Sequence, residues 1–573
     1  MEVIEKMRYS VDPRQMDLFG PAARMFSSMT IKRISSDWPG LFRGQMLHLM
    51  PAAELGKHFD AKVGCHTKEL YAMAGVIFLK EFFNRTIDQT VESYLTDAAW
   101  QYALNVNPMT ASLSHSTVER YSSLFAEEDL ASEVFHRITS ALIEALELDV
   151  SRQRLDSTHI YSDMAVFGRT KLMAVTIKRF LTQLKRHHRD LYEVLGDDFL
   201  ARYAPSQAKL FGDFKGSRSQ LRQTVAEDLL MLVSRFADDE KVSHRSSYKA
   251  MARVLDEQCD VQEETVVVKT KTGGDVMQNP SDADATYDGH KGPGHQAQIS
   301  ETCSQENDVQ LIAGVETEPA HASDQNAGIP MIDQLESHDR KPEMLYADAG
   351  YGSDANVVDA AERGVDLQSP VSGASRQNPD DLTIDDFVVD EETQMVDCCP
   401  DGHEPVSSVH DSERSRTRTV MAASHCLACR HRNECPVKAV RDGYVIEHTP
   451  AEHRTAGRRA EQATEAFAEN YAIRGGGESV NSGLKRRTGM SRLRVRGSPR
   501  VRMAVLLRCA GWNLFRALAA MKKRGIRDFA AFFAALSPFG PLVTRLRRRI
   551  DVPMLLLQHV GVLRPQIPIP VAA

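Results

Sequence analysis

From about Pro51 to Leu146 the apolar positions recur at helical spacing, with Ile87, Val91, Tyr94 and Leu95 along one helix face. Ser116-Thr117-Val118-Glu119 has capping-box spacing and opens another helix. This stretch predicts a compact all-helical domain. At Arg154 the pattern changes, and Leu155-Asp156-Ser157-Thr158-His159-Ile160-Tyr161 reads as a strand carrying a polar cluster. Helical spacing then returns, with Ile177, Phe180, Leu181 and Leu184 on one face, and runs through Leu229–Phe236 and Tyr248–Leu255 to about Gln258. Such a block between strands is an insertion.

Beyond it the elements shorten. Gln296–Cys303 and Val309–Val315 predict a strand pair, Ser323 caps a helix through Leu335, and Met344–Ala347 is a strand ending at Asp348. Ser353 caps a helix that stops at Gly364, and Val365–Val371 is a further strand. Strand pair, helix, strand, helix, strand is an α/β pattern. An acidic loop, Asp380 to Asp397, leads into a run of cysteines, and helix resumes near Thr449.

Composition narrows the class. The chain has 573 residues, 42% hydrophobic and 26% charged, which suits several globular domains and excludes a disordered chain or a disulfide mini-scaffold. The most apolar stretches, Phe529–Val543 and Val552–Leu563, are short and broken, so no membrane span is expected. Met1–Ser10 lacks the apolar core of a secretory signal, which predicts a cytoplasmic protein. Net charge is −8, yet Lys485 to Arg549 holds eighteen Lys/Arg against one acid, Asp528, leaving −25 on the remainder. A basic block on an acidic protein points to a localised polyanion contact, although short charge runs are more commonly solvated helix faces.

Two constellations carry chemistry. Asp156 lies in an otherwise uncharged strand, and Asp348 at the C-terminal end of another, where ligands of open α/β sheets gather. Glu478 follows three glycines and opens a helix, Glu478–Arg487, with Lys485 two turns further on the same face. Three carboxylates with no evident nucleophile suit Mg²⁺, and two such ions clamp the attacking and leaving oxygens of a phosphoryl displacement. Each of these acids taken alone is more commonly a cap or an ion-pair partner. The second constellation is sulfur: five of nine cysteines fall between Cys398 and Cys435. Cys399-Pro400-x-Gly402, Cys426-x-x-Cys429 and Cys435-Pro436 supply four thiolates that can close a tetrahedral structural zinc site. Cys398 duplicates Cys399, which is preferred because it precedes the proline; His403, His425 and His431 are substitute ligands. The bland reading is a set of free cysteines. Cys65, Cys259, Cys303 and Cys509 read as ordinary, and His159 as a structural hydrogen-bonder.

Tyr471-x-x-Arg474-x-x-x-Glu478, with Lys485 seven positions on, resembles the Y-R-E-K signature of bacterial insertion-sequence DDE transposases. Leu155–Ile160 is similar to that family's first-aspartate strand, and Ala347-Asp348-Ala349-Gly350-Tyr351 to its second. Asn279–Tyr287 with His290-Lys291-Gly292 resembles the segment entering the second strand in one subgroup, and the C-P-x-G…C-x-x-C…C-P layout occurs in related transposases. Four motifs in the right order, across roughly Pro51 to Met521, carry the resemblance.

The resemblance implies an α/β RNase H-like catalytic domain, a mixed sheet flanked by helices, with an N-terminal all-α domain, a helical insertion and a small zinc-ribbon-like insertion. The expected layout is an extension at 1–50, a helical DNA-binding domain at 51–150, a catalytic domain at 151–525 and a basic tail at 526–573. The insertions fall at about 168–260 and 396–438. Asp156, Asp348 and Glu478 would hold two Mg²⁺ or Mn²⁺ ions. Lys485 and Arg474 would touch phosphates at the scissile bond, and Tyr471 would place the DNA end. Arg486, Arg487, Arg492, Arg494 and Arg496 would follow the DNA as a cationic strip, giving affinity rather than sequence choice. Double-stranded DNA, as transposon ends and target, is the implied partner, bound by a homodimer or larger assembly in the bacterial nucleoid. Rival readings are a catalytically silent DNA-binding protein and a nuclease of the same fold that does not join strands.

Two departures stand out. Gly475-Gly476-Gly477 replaces a common hydrophobic residue, at a cost of ~1 kcal/mol per glycine inside a helix. The helix is therefore expected to begin at Glu478 or to order on DNA. His295 sits where an aromatic is common.

Overall fold

The computed structural model describes residues 3–5, 8–13, 26–162, 164–165, 167–203, 216–262, 265–372, 380–441 and 443–536. The Arg545–Arg549 cluster lies outside these described residues.

Seven strands form one mixed sheet: β1 Arg152–Ser162, β2 Thr286–Asp288, β3 Gly292–Thr302, β4 Ile312–Pro319, β5 Met344–Tyr346, β6 Asp366–Gln368 and β7 Arg492–Leu493. β1 is central. It runs antiparallel to β3 over Gln153–Tyr161 and parallel to β5 over Arg152–Arg154. β6 lies parallel beyond β5, β4 and β2 pair with β3, and β7 joins the far end of β1 at Tyr161–Ser162. Between β5 and β7, β1 has no strand on that side among the described residues, and Asp156 sits in this opening.

Helices cover both faces. α1 Gly328–Glu336 and α2 Asp354–Glu362 pack Met331, Ile332, Leu335 and Ala360 against Leu155, Leu345 and Leu367. As the sequence predicts, Ser353 caps α2 and Gly364 follows it at φ +72°. On the other face lie α3 Gly476–Thr488 and α4 Ser498–Lys523. This mixed, helix-flanked sheet fits an RNase H-like fold in general terms.

The N-terminal helices do not stand apart. Leu70–Phe82 is buried on every face, and it packs with Leu130–Leu146 around α4. One continuous cluster holds Leu41, Phe78, Phe135 and Leu142 together with Ile160, Ile299, Val315, Leu484 and Leu507. Residues 41–50, expected to belong to an extension, therefore enter the core: Leu41, Phe42 and Met46 are fully buried. α4 is long and apolar enough to cross a membrane by composition, but most of it is buried inside this core. A Cβ at Gly511 would overlap the Phe82 ring, so α4 and Leu70–Phe82 cross closely. One predicted cap moves. Ser114, not Ser116, accepts from the Thr117 amide, and Glu119 pairs with Arg500 instead of closing a box.

Two modules have cores of their own. The helices Arg169–His187, Arg218–Phe236 and Ser246–Gln258 pack with the hairpin Cys259–Gln262/Thr265–Val268. The cysteine-bearing segment contains an antiparallel sheet of Ser407–Asp411, Arg416–Met421, Gly443–His448 and Lys438–Val440.

His295 proves to be an anchor rather than an aromatic substitute. It is buried with Nε2 4.0 Å from Asp282 Oδ1. Asp282 also accepts from the Ser162 hydroxyl and from the Gly497 amide at 2.9 Å. Burial alone would raise the Asp282 carboxyl, but the neighbouring His295 ring and the Ser162 and Gly497 donors outweigh it and lower it. One aspartate thus ties the ends of β1, β3 and α4 together.

Candidate active site

Because Arg154 pairs with Tyr346, the chains carrying Asp156 and Asp348 leave that register side by side. Arg474 bridges them, with Nη2 3.2 Å from Asp156 Oδ1 and 3.6 Å from Asp348 Oδ2. Asn481 of α3 donates to the other Asp156 oxygen at 3.0 Å. The Tyr471 hydroxyl donates to the Ala347 carbonyl at 2.8 Å, which straps the segment before α3 to the end of β5. Burial pushes the Asp156 carboxyl up, Arg474 opposes, and Asp348 adds to the rise. The structure therefore brings Asp156, Asp348, Arg474 and Tyr471 together.

The three glycines correct the expected helix start. A 3₁₀ turn, Ala472–Gly475, runs directly into α3 at Gly476, so two glycines lie inside the helix. Contact explains this. Arg154, held by the buried Glu301 carboxylate at 2.8 Å, donates to the Ile473 carbonyl at 3.0 Å. A Cβ at Gly476 would overlap that guanidinium, and one at Gly477 would lie 3.6 Å from Asp156 Oδ2. Glycine lets the helix lie flat on the aspartate strand, offsetting its poor helix propensity.

Glu478 follows in the first turn of α3 and is exposed. It shares a face with Asn481 and Lys485, but it is not drawn between the aspartates. Among the described residues, no group of three or more His, Cys, Asp or Glu side chains is arranged to hold a metal ion. The expected closed cluster of three carboxylates is thus not formed: Arg474 takes the space between two of them. Lys485 is half-buried; burial lowers its pKa, the Lys291 charge lowers it further, and Asp156 opposes.

Two residues of this neighbourhood went unread in the sequence. Asn481 is one. The other is Asp324, in the short turn before α1, which accepts from Ser157 Oγ at 3.2 Å and Gln298 Nε2 at 2.9 Å. It flanks Asp348: a Cβ at Gly350 would be 2.9 Å from Asp348 Oδ1 and 3.3 Å from Asp324 Cβ. The cap at Ser323 was a local signal for a helix start there, but nothing local announced the meeting with Asp348.

Arg486, Arg487, Arg492, Arg494 and Arg496 are all exposed on α3, β7 and the loop beyond. Arg487 lies 4.3 Å over the Phe515 ring, and Arg494 donates to the Asn84 carbonyl. Arg500 and Arg502, the next two arginines along the chain, are ion-paired to Glu119 and to Asp129 and Glu316. They join α4 to the N-terminal helices and the sheet.

Cys399, Cys426, Cys429 and Cys435 line one cavity of about 20 Å³, with His403, His425 and His431 at its wall. The Cys399-Pro400-Asp401-Gly402 turn is closed by the Gly402 amide on the Cys399 carbonyl at 2.8 Å, with Gly402 at φ +80°. Cys398 pairs instead with Val388 and does not line the cavity.

Residues 398–518 match the family model described as a transposase DDE domain. That match supports a DDE transposase. It spans the cysteine module, Glu478, Lys485 and the cationic strip; Asp156 and Asp348 precede it. No curated protein and no solved structure gives a significant match. DDE transposases act on DNA and generally use divalent metals such as Mg²⁺, so a nucleic-acid phosphoryl-transfer enzyme is the class supported.

Proposed function

We propose that this chain cleaves DNA at insertion-sequence ends and transfers the freed 3′ end into target DNA, with Asp156, Asp348 and Glu478 as metal ligands. The observation that carries the reading is the guanidinium of Arg474 held between Asp156 and Asp348. It is a cation in the space where the family's chemistry needs one, between hard oxygen donors that suit Mg²⁺ or Mn²⁺. Two ions held by Asp156, Asp348 and Glu478 would supply Lewis acidity to the scissile phosphate and would lower the pKa of the attacking water. Arg474 and Lys485 then pair with phosphate oxygens, while Tyr471 keeps the helix approach fixed to β5. The protein acts on bacterial DNA in the cytoplasm, as a homodimer or larger assembly on its ends.

The test is to incubate purified protein and Mg²⁺ with DNA flanking its own gene. Cleaved and joined products are both expected. Cleavage without joining supports a nuclease instead, and end binding without cleavage a silent DNA-binding protein.

The exposed arginines should follow the DNA path. A quadruple Arg→Gln variant at Arg486, Arg492, Arg494 and Arg496 is expected to weaken specific and random DNA alike, since phosphates carry no sequence information. The log–log salt slope should flatten by about 0.9 for each phosphate that is no longer neutralised. Titrations at several salt concentrations check this, and an unchanged slope with a lowered melting temperature would assign these arginines to folding. Arg487 is left out of the variant because it packs on Phe515.

We infer further that Cys399, Cys426, Cys429 and Cys435 hold one structural zinc. The four thiols line one ion-sized cavity and, although the structure does not draw them together as a metal-holding group, they would close a tetrahedral site at Zn–S distances near ~2.3 Å, with no position left for substrate. Elemental analysis of reduced, freshly purified protein should give one zinc per chain; none at all would sink this assignment.

A further inference from the structure

We propose that the turn joining β2 to β3, Asp288–Gly292, is a second DNA-gripping element, in which Lys291 holds a backbone phosphate next to the one at Lys485. The inference rests on the transposase reading and names a contact that reading does not include.

The turn is placed and stiffened for the task. β1 and β3 pair as far as Tyr161 and Gly294, and β2 turns back at Asp288 opposite Gly292, so the tip projects past the end of β1. Asp288 Oδ1 accepts from the His290 and Lys291 amides, both at 2.7 Å. Gly292 supplies the left-handed backbone at φ +100°. Lys291 is thereby presented on a rigid tip. It is exposed, and among the described residues no carboxylate lies within ion-pair distance of it or of Lys485.

Around this tip several groups lack what an anion would supply. His159 is only 4% exposed, and neither ring nitrogen completes a hydrogen bond; the Pro293 carbonyl approaches without closing one. Asp288, Lys291 and Lys485 are the charged side chains that act on it. Burial, Lys291 and Lys485 all depress its pKa, while Asp288 raises it, and the net result keeps the ring neutral. An unmade buried hydrogen bond costs roughly 1–3 kcal/mol, and two lysines acting on each other add repulsion. A phosphate oxygen at this point neutralises both ammonium groups, while the sealed imidazole beneath them offers no competing charge.

An exposed ring favours a polynucleotide as the source of that phosphate. Tyr161 is 40% exposed at the base of the turn, while Tyr287 lies on the opposite face of the sheet by its register. Tyr161 stands edge-on to His159, with ring centroids 4.6 Å apart, and its Cε1 is 4.0 Å from where a Gly292 Cβ would lie. Cations interleaved with solvent-facing aromatics grip the backbone and stack on bases or sugars of one strand.

The experiment compares full-length wild type, Lys291→Ala and Lys291→Arg on a duplex carrying the chain's own insertion-sequence end. Affinity is read at several salt concentrations, with thermal melting alongside. Lys291→Ala should flatten the log–log salt slope by about 0.9 and weaken binding roughly tenfold at low salt. Lys291→Arg should restore both, and melting should be unchanged in both variants. An unaltered slope in Lys291→Ala, beside a wild type that binds and cleaves, overturns this inference and leaves the transposase reading intact. So does a binding loss that tracks a lowered melting temperature and is not rescued by arginine. A wild type that neither binds nor cleaves the duplex overturns both.

Discussion

Glu478→Gln and Asp348→Asn each reduce Mg²⁺-dependent cleavage by roughly 10³-fold or more, the scale of losing a preorganised group that stabilises transition-state charge, and leave end binding largely intact. Glu478 is the more telling site. It is exposed in the first turn of α3, so its amide carries little folding penalty. Loss of cleavage at an unchanged melting temperature therefore reports on chemistry alone. Asp156 is less clean. Its carboxylate accepts from both Arg474 and Asn481, and truncation to alanine strands two donors at a cost of about 1–3 kcal/mol. Asn at 156 keeps the shape and is the better variant. Gel assays of nicking and joining, run beside filter binding, separate the steps, and a Glu478→Gln protein that still cleaves would remove Glu478 from the catalytic set.

Arg508→Ala is expected to destabilise the fold by about 3–5 kcal/mol, as for other broken buried ion pairs. The guanidinium is 2% exposed at the centre of α4. It donates to the Thr488 carbonyl at the end of α3 and to Asn84 at 3.1 Å, and it lies 3.4 Å from Glu81, which Lys80 also contacts. Removing it leaves Glu81 buried beside one cation instead of two. Denaturant unfolding should register the loss. Adding Glu81→Gln to an Arg508→Met variant should not recover it, because the buried Lys80 ammonium is then left without its carboxylate. Cleavage should fall in Arg508→Ala even below its unfolding temperature, since α3 loses the tether on its last turn.

Local pattern carried much of this architecture. Alternation around Leu155–Tyr161, the stop at Asp348 and the Ser353–Gly364 bracket are short-range signals, and each became the expected strand end or helix. Contacts between distant residues were not legible. Arg154 meets Ile473 across 319 residues, so the glycines before Glu478 registered only as a propensity cost and not as clearance for a guanidinium. Arg508 meets Asn84 across 424 residues, which is why residues 51–150 looked self-contained although α4 completes their core. Asp324 likewise joins Asp348 only through folding. The order of Tyr471, Arg474, Glu478 and Lys485 was plain in the sequence; that Arg474 lies between the two aspartates was not.

The way apolar side chains are shared sets how such a chain can change over evolutionary time. The helical block at 169–258 and the cysteine module each enclose their own cluster, so recombination can delete, lengthen or exchange either one at its entry and exit strands. The N-terminal helices have no such freedom. Their cluster is finished by α4, some 350 residues later in sequence, and continues into β1, β3 and β4. A relative that swapped residues 41–148 for an unrelated helical unit would have to re-evolve the inward face of α4 in the same event. Change in these helices is therefore expected to come as point substitutions on their outward surfaces, and wholesale exchange to be confined to the two inserted modules.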